Sequence, residues 1–114
     1  MVIRSGQMGA LADDARDRAN SDLAAYARRR FPTRFADTPE EVLLKIAEEV
    51  RKRAAAEGFE REDHVSTFLD LTVMYGSDFP RSDWASPILN NEGLDAHHKM
   101  LSLRNRVEQS GVKL

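Results

Sequence analysis

The sequence predicts an all-α fold, a compact bundle of four main helices plus one short helix. Apolar residues recur at intervals of three and four over four segments of the chain, which is the spacing of one helix face. Proline- and glycine-containing stretches separate these segments. The 114 residues are 41% hydrophobic and 32% charged, a balance typical of helices with narrow apolar stripes and solvated outer faces.

The first helix is predicted over residues 8–30, after a flexible N-terminal arm over residues 1–7. Residues 8–114 are expected to form a single helical domain, because a chain of this length usually folds as one domain. Three consecutive arginines at the end of the helix complement the negative end of its dipole. The apolar stripe is rich in small residues and consists of Met8, Leu11, Ala15, Ala19, Leu23, Tyr26 and Ala27.

The second helix has strong start and stop signals. Thr38 is the expected N-cap, Pro39 occupies the first helical position, and Glu41 completes a capping box. Gly58 is the expected left-handed C-cap, with Phe59 folding back on the last turn.

The third helix is predicted over residues 61–75 and is apolar around much of its circumference. A strand over residues 71–75 is the alternative, but the spacing from Val65 onward favours a helix. We therefore expect this helix to be the most buried. Asp70 lies between two leucines in it, and we expect this carboxylate to have a structural ion pair with an arginine.

The segment from Tyr75 to Gly93 breaks the helical pattern yet contains the only tryptophan. Gly76 ends the third helix, and Ser82 or Asp83 is the expected cap of a short helix through Leu89. The last helix runs from Leu94 or Asp95 to about Ser110, with Gly111 as its stop. One side of this helix is lined by Leu94, His97, His98, Leu101 and Arg104, with Met100, Leu103 and Val107 adjacent.

Composition narrows the function classes. The formal net charge is −2, so the chain has no strong field for nucleic acid or an anionic membrane. It contains no cysteine, which excludes disulfides and thiolate chemistry. We expect neither a signal peptide nor a membrane span, and a cytoplasmic location.

Two clusters of polar residues are candidate sites. His97 and His98, near Glu92 and Asp95, suggest a metal site, but adjacent helical residues point about 100° apart and cannot converge on one ion. An Asp63–His64 dyad meets the same objection. With no phosphate-binding loop and no nucleophile motif, we expect no enzymatic activity, metal or cofactor.

The order of motifs resembles a known group of proteins. The motifs are FP at Phe31-Pro32, AEGFEREDHV over residues 56–65, FLDLTVMYGSDFP over 68–80 and WASPILNNEGLDAHHKMLSL over 84–103. They look like a loosely defined group of small all-helical accessory proteins encoded in bacterial type VI secretion and polymorphic-toxin loci. The resemblance covers most of the chain and implies an adaptor or chaperone for a secreted effector or spike component.

The first hypothesis is therefore a protein-interaction module. The large apolar residues of the loop either plug the core or form an exposed anchor for a partner, and both hold if Trp84 plugs the core while Phe79 stays at the rim. As an anchor, Phe79 should tolerate substitution by aspartate while binding is lost; a fully buried Phe79 would exclude this. If Trp84 is buried, its truncation to alanine should lower the free energy of unfolding by about 3–5 kcal/mol. The candidate partner-binding residues are Tyr75, Phe79, Trp84, Ile88 and Leu89.

Two alternatives remain. An immunity protein would neutralise a cognate toxin through a complementary charged surface. A nucleic-acid-binding module, the weaker alternative, would use arginines on phosphates and aromatic rings on bases. Homodimerisation through the alanine-rich stripe of the first helix is also left open. The residues of the basic cluster are Arg28, Arg29, Arg30 and Arg34, interleaved with Phe31 and Phe35.

Overall fold

The computed structural model describes residues 2–112 and 114, with side chains from residue 15 onward. Within this range the chain has no strand, and the all-α prediction is confirmed. Four longer helices and one short one are present. Their bounds are Val2–Arg30 (α1), Glu40–Ala56 (α2), Glu62–Tyr75 (α3), Ser86–Leu89 (α4) and Ala96–Gln109 (α5), with a 3₁₀ turn at Phe79–Arg81 before α4.

The helix α1 is assigned from Val2 rather than from Met8. The predicted flexible arm over residues 1–7 lies outside the residues whose side chains are described, and it stays a prediction. The chain divides into two units, residues 1–49 and 50–114. The expectation of a single domain over residues 8–114 likewise stays a prediction.

In the first unit, the buried residues of α1 follow the predicted stripe only in part, since Ala15 of that stripe is exposed and Ala24 outside it is buried. Leu23, Ala24 and Ala27 are buried on α1, and Leu43 and Ala47 are buried on α2. Small side chains dominate the buried face of α1, and small side chains permit close packing against this face.

The connection between α1 and α2 is held by Arg28. Its guanidinium donates to the carbonyl oxygens of Phe35 at 2.8 Å and Thr38 at 2.9 Å. The predicted capping box is wrong: α2 begins at Glu40, and the Pro39 carbonyl accepts the first helical bonds. No Thr38 side-chain bond occurs within the described residues, and the Thr38 carbonyl is occupied by Arg28 instead.

The end of α2 is a Schellman motif, and the predicted left-handed C-cap at Gly58 is confirmed. Gly58 has φ of 90°, the left-handed conformation that glycine adopts without strain. The Phe59 N–H donates to the Ala54 carbonyl at 2.8 Å, and the Gly58 N–H donates to Ala55 at 3.0 Å. This reversal places the Phe59 ring, which is fully buried, back against the second unit's core.

The third helix is helical throughout Glu62–Tyr75, which excludes the strand alternative. It contributes the longest series of buried side chains in the described chain, as predicted. Asp70 is buried among them; its predicted arginine partner stays a prediction. The buried residues of α3 are His64, Val65, Phe68, Leu69, Asp70 and Leu71.

The last helix has the predicted bounds, and its buried face lies beside the side that the histidines line. Asp95 caps it, since its Oδ1 accepts from the His98 backbone N–H at 2.8 Å. Met100, Leu103 and Val107 are buried, whereas Leu101 is exposed. On the side that Leu94 and Arg104 share with them, His97, His98 and Leu101 are exposed. These three residues are apolar or aromatic, but tertiary packing selected the neighbouring stripe.

Candidate functional site

The five predicted partner-binding residues divide between the core and the surface. Phe79 and Leu89 are buried, with exposures of 2% and 5%. Tyr75 is 40% exposed, and Trp84 and Ile88 are half-buried. By the criterion given above, the anchor hypothesis is wrong for Phe79, and Leu89 is excluded for the same reason. The expectation that Phe79→Asp leaves the fold intact fails with it, because a buried unpaired carboxylate is costly.

A series of aromatic rings leads from the core to the surface. The Phe79 ring lies 4.9 Å from the Phe68 ring, between centroids, and 6.1 Å from Trp84, to which it is nearly parallel at 19°. The Tyr75 and Trp84 ring centroids are 5.2 Å apart. The assignment of Trp84 as the plug and Phe79 as the rim is therefore wrong: Phe79 is the plug, and Trp84 covers it. The tryptophan contacts the core through Phe79 and remains accessible beside Tyr75.

The segment that holds these rings is ordered by backbone bonds. Gly76, with φ of 93°, ends α3 and donates to the Thr72 carbonyl. The Ser82 hydroxyl donates to the Phe79 carbonyl at 2.6 Å and accepts from the Ala85 N–H at 3.3 Å. The predicted cap thus fixes the turn before α4, while α4 itself begins after Ala85.

An open groove of about 340 Å³ lies beside the exposed rings. Its aromatic side is formed by Tyr75 and Trp84, and its other side comes from the C-terminal end of α5. The α5 residues that line it are Arg106, Val107, Gln109 and Ser110. None of these was among the predicted site residues. The sequence contained only a weak signal for them. Val107 lies four residues after Leu103 and continues the buried stripe of α5, so the residues beside Val107 come to lie along the groove.

The groove combines apolar faces with an available cation. Arg106 is exposed, and no residue in the described part of the chain forms a hydrogen bond or ion pair with it. The Ser110 hydroxyl already has a partner on α5, since it donates to the Val107 carbonyl at 2.6 Å. A guanidinium beside two aromatic rings can bind a carboxylate while the rings pack against an apolar body.

The basic cluster does not present the surface that nucleic-acid binding would need. Arg28 is engaged with the carbonyls of the α1–α2 connection. Phe35 is buried, and the Phe31 ring meets it edge-on at 6.4 Å between centroids. Arg30 lies over the Phe31 ring at 5.2 Å. Stacking of bases on both rings would therefore require the connection to unfold.

The histidines form a cluster that the sequence did not predict. His64 Nε2 lies 3.4 Å from His97 Nδ1, although the two residues are 33 positions apart. The His97 and His98 rings are inclined at 74°. In the described part of the chain, no group of three or more histidine or acidic side chains is placed to hold a metal ion.

The acidic neighbours of the histidines already have partners. Asp63 is paired with Arg61 through two bonds of 2.8 and 3.1 Å, so the Asp63–His64 dyad does not form. The His98 backbone N–H and ring both donate to Asp95, and these bonds lower the pKa of Asp95. Desolvation by burial lowers the pKa of His64.

Comparison with known proteins adds no relative: no family model matches the chain, and no similar curated protein or solved structure was found. Among the helices described, none combines the length and apolar character needed to cross a bilayer.

Proposed function

We propose that this chain is a non-enzymatic protein-interaction module, an adaptor or chaperone for a type VI secretion effector or spike component. The observation that carries the proposal is the groove where Tyr75, Trp84 and Arg106 meet. Tryptophan, tyrosine and arginine are the residue types most enriched at interface hot spots. The resemblance of the motif series supports the effector context, and the partner would meet the module in the cytoplasm.

The chemistry of the groove defines the partner segment. We take it to be a peptide segment with an apolar side chain and an adjacent carboxylate, because the Arg106 guanidinium, which has no partner among the described residues, lies beside two aromatic rings. A bidentate arginine–carboxylate pair adds orientation as well as affinity. The apolar side chain would cover the exposed part of the Tyr75–Trp84 pair.

The test is quantitative capture from native cells with the tagged protein and matched variants. Tyr75→Ala and Arg106→Glu should lose the partner, while Leu101→Ala, which truncates an equally exposed apolar residue on α5, should retain it. Enrichment of an effector or spike protein that depends on Tyr75 and Arg106 supports the proposal. Equal capture by all variants contradicts the groove as the site.

Co-expression of the captured protein then separates adaptor from immunity function. An adaptor should raise the amount of effector without blocking its toxicity. Protection from toxicity would instead establish the immunity alternative. For nucleic acid, retardation of a labelled duplex or single strand at low salt, lost in an Arg29→Glu, Arg34→Glu variant, would contradict the proposal.

A further inference from the structure

The three histidines of the chain meet at the N-terminal ends of α3 and α5. The His64 and His97 rings are stacked, with centroids 5.6 Å apart and planes inclined at 27°. His64 is 4% exposed and meets the buried Phe59 ring edge-on at 5.8 Å, whereas His97 is exposed. One ring thus belongs to the core of this unit, and the other belongs to the first turn of α5.

The facing nitrogens can share one proton but not two. A neutral imidazole has one N–H and one acceptor nitrogen, so a single hydrogen between His64 Nε2 and His97 Nδ1 satisfies both atoms. This remains true when one ring is a cation. When both rings are cations, two N–H groups face each other across 3.4 Å, and the hydrogen bond is replaced by repulsion.

The charges around the pair relieve this repulsion only in part. On the α3 side, Asp63 is held by Arg61, and on the α5 side, Asp95 is held by His98. Both histidines also lie in the first turn of a helix, where the dipole disfavours cations. Burial lowers the pKa of His64; the charges of Arg61 and His97 act in the same direction, and Asp63 and Asp95 oppose them.

We propose that the His64–His97 contact is a pH-sensitive latch, which holds the first turn of α5 against α3 and opens when both rings are protonated. The closed state keeps His64 neutral, and the open state lets it take up a proton in water. The contact is therefore complete above about pH 6.5, the ordinary value for histidine. The contact weakens as the pH falls from there through the lowered pKa of His64. The equilibrium constant for closing the latch decreases by at most about tenfold per pH unit.

The test combines histidine NMR titration with hydrogen exchange of the first turn of α5. In the wild-type protein the His64 midpoint should lie below 6.5, and protection of the amides in residues 98–100, corrected for intrinsic exchange, should fall from pH 7.5 to pH 5.0. His97→Gln keeps a side chain that can bond to either form of His64, so it should lose less protection than the wild type, while the burial of His64 leaves it some dependence on pH.

His98→Gln is the matched control, because it removes a histidine from the same turn but not from the pair; it should lose protection as the wild type does. His64→Phe gives a second test, since it removes the titration while filling the site beside Phe59. Protection that is unchanged with pH in the wild type overturns the latch. So does an equal loss in His97→Gln and the wild type.

Discussion

Truncation of Phe79 should be among the most destabilising single changes in residues 50–114. The side chain is 2% exposed and lies against the rings of Phe68 and Trp84, at 4.9 and 6.1 Å between centroids. A buried phenylalanine removes roughly 150–250 Å² from water, and Phe→Ala changes in cores cost about 3–5 kcal/mol. Phe79→Ala should therefore lower the free energy of unfolding by about 4 kcal/mol.

Urea denaturation followed by far-UV circular dichroism measures this loss. With a slope of about 1.5 kcal/mol per molar, the midpoint should fall by about 2–3 M. Tyr75→Ala is the matched control, because it removes an aromatic ring from the exposed end of the same series. This variant should lower the free energy of unfolding by no more than about 1–2 kcal/mol, mostly through loss of the contact with Trp84. If the two variants cost the same, Phe79 is not the plug that the ring geometry indicates.

Three smaller effects can be measured by the same denaturation assay. Gly58→Ala should cost about 1 kcal/mol or more, because φ of 90° strains a residue with a Cβ even though the space is open; an unchanged midpoint would contradict this. Arg28→Ala should cost about 1–2 kcal/mol through loss of two carbonyl bonds, and Arg28→Lys should restore only part of it. Asp95→Ala should cost about 0.5–2 kcal/mol as a lost N-cap, whereas Asp95→Asn should cost little; equal losses would show that the cap is not the cause.

Local signals in the sequence predicted the helices and several of their ends. Gly58 followed by Phe59 predicted a left-handed C-cap because only glycine adopts that conformation cheaply, and the φ of 90° and the bonds to Ala54 and Ala55 confirm it. The spacing from Val65 onward predicted a helix against a strand alternative. These features depend on neighbours within a few residues, so the sequence is sufficient to predict them.

Features that depend on tertiary packing were beyond the sequence. Phe79 and Trp84 are both large and lie in the same turn-rich segment, so composition alone could not show which ring would be buried. The contact of His64 with His97 joins positions 33 residues apart. The same limit applies to Arg106, which enters the groove only because the buried stripe of α5 runs through Val107.

The position of Trp84 decides which variants can test function. One face of its ring covers Phe79, and Tyr75 lies against it at the surface, so Trp84→Ala would change stability and any binding surface together. The ring is half-buried, so the 3–5 kcal/mol expected for full burial is an upper bound here. Arg106 has no such double role, since it is exposed and unpaired within the described residues. Loss of a partner in Arg106→Glu with an unchanged unfolding midpoint would therefore assign the effect to the surface alone.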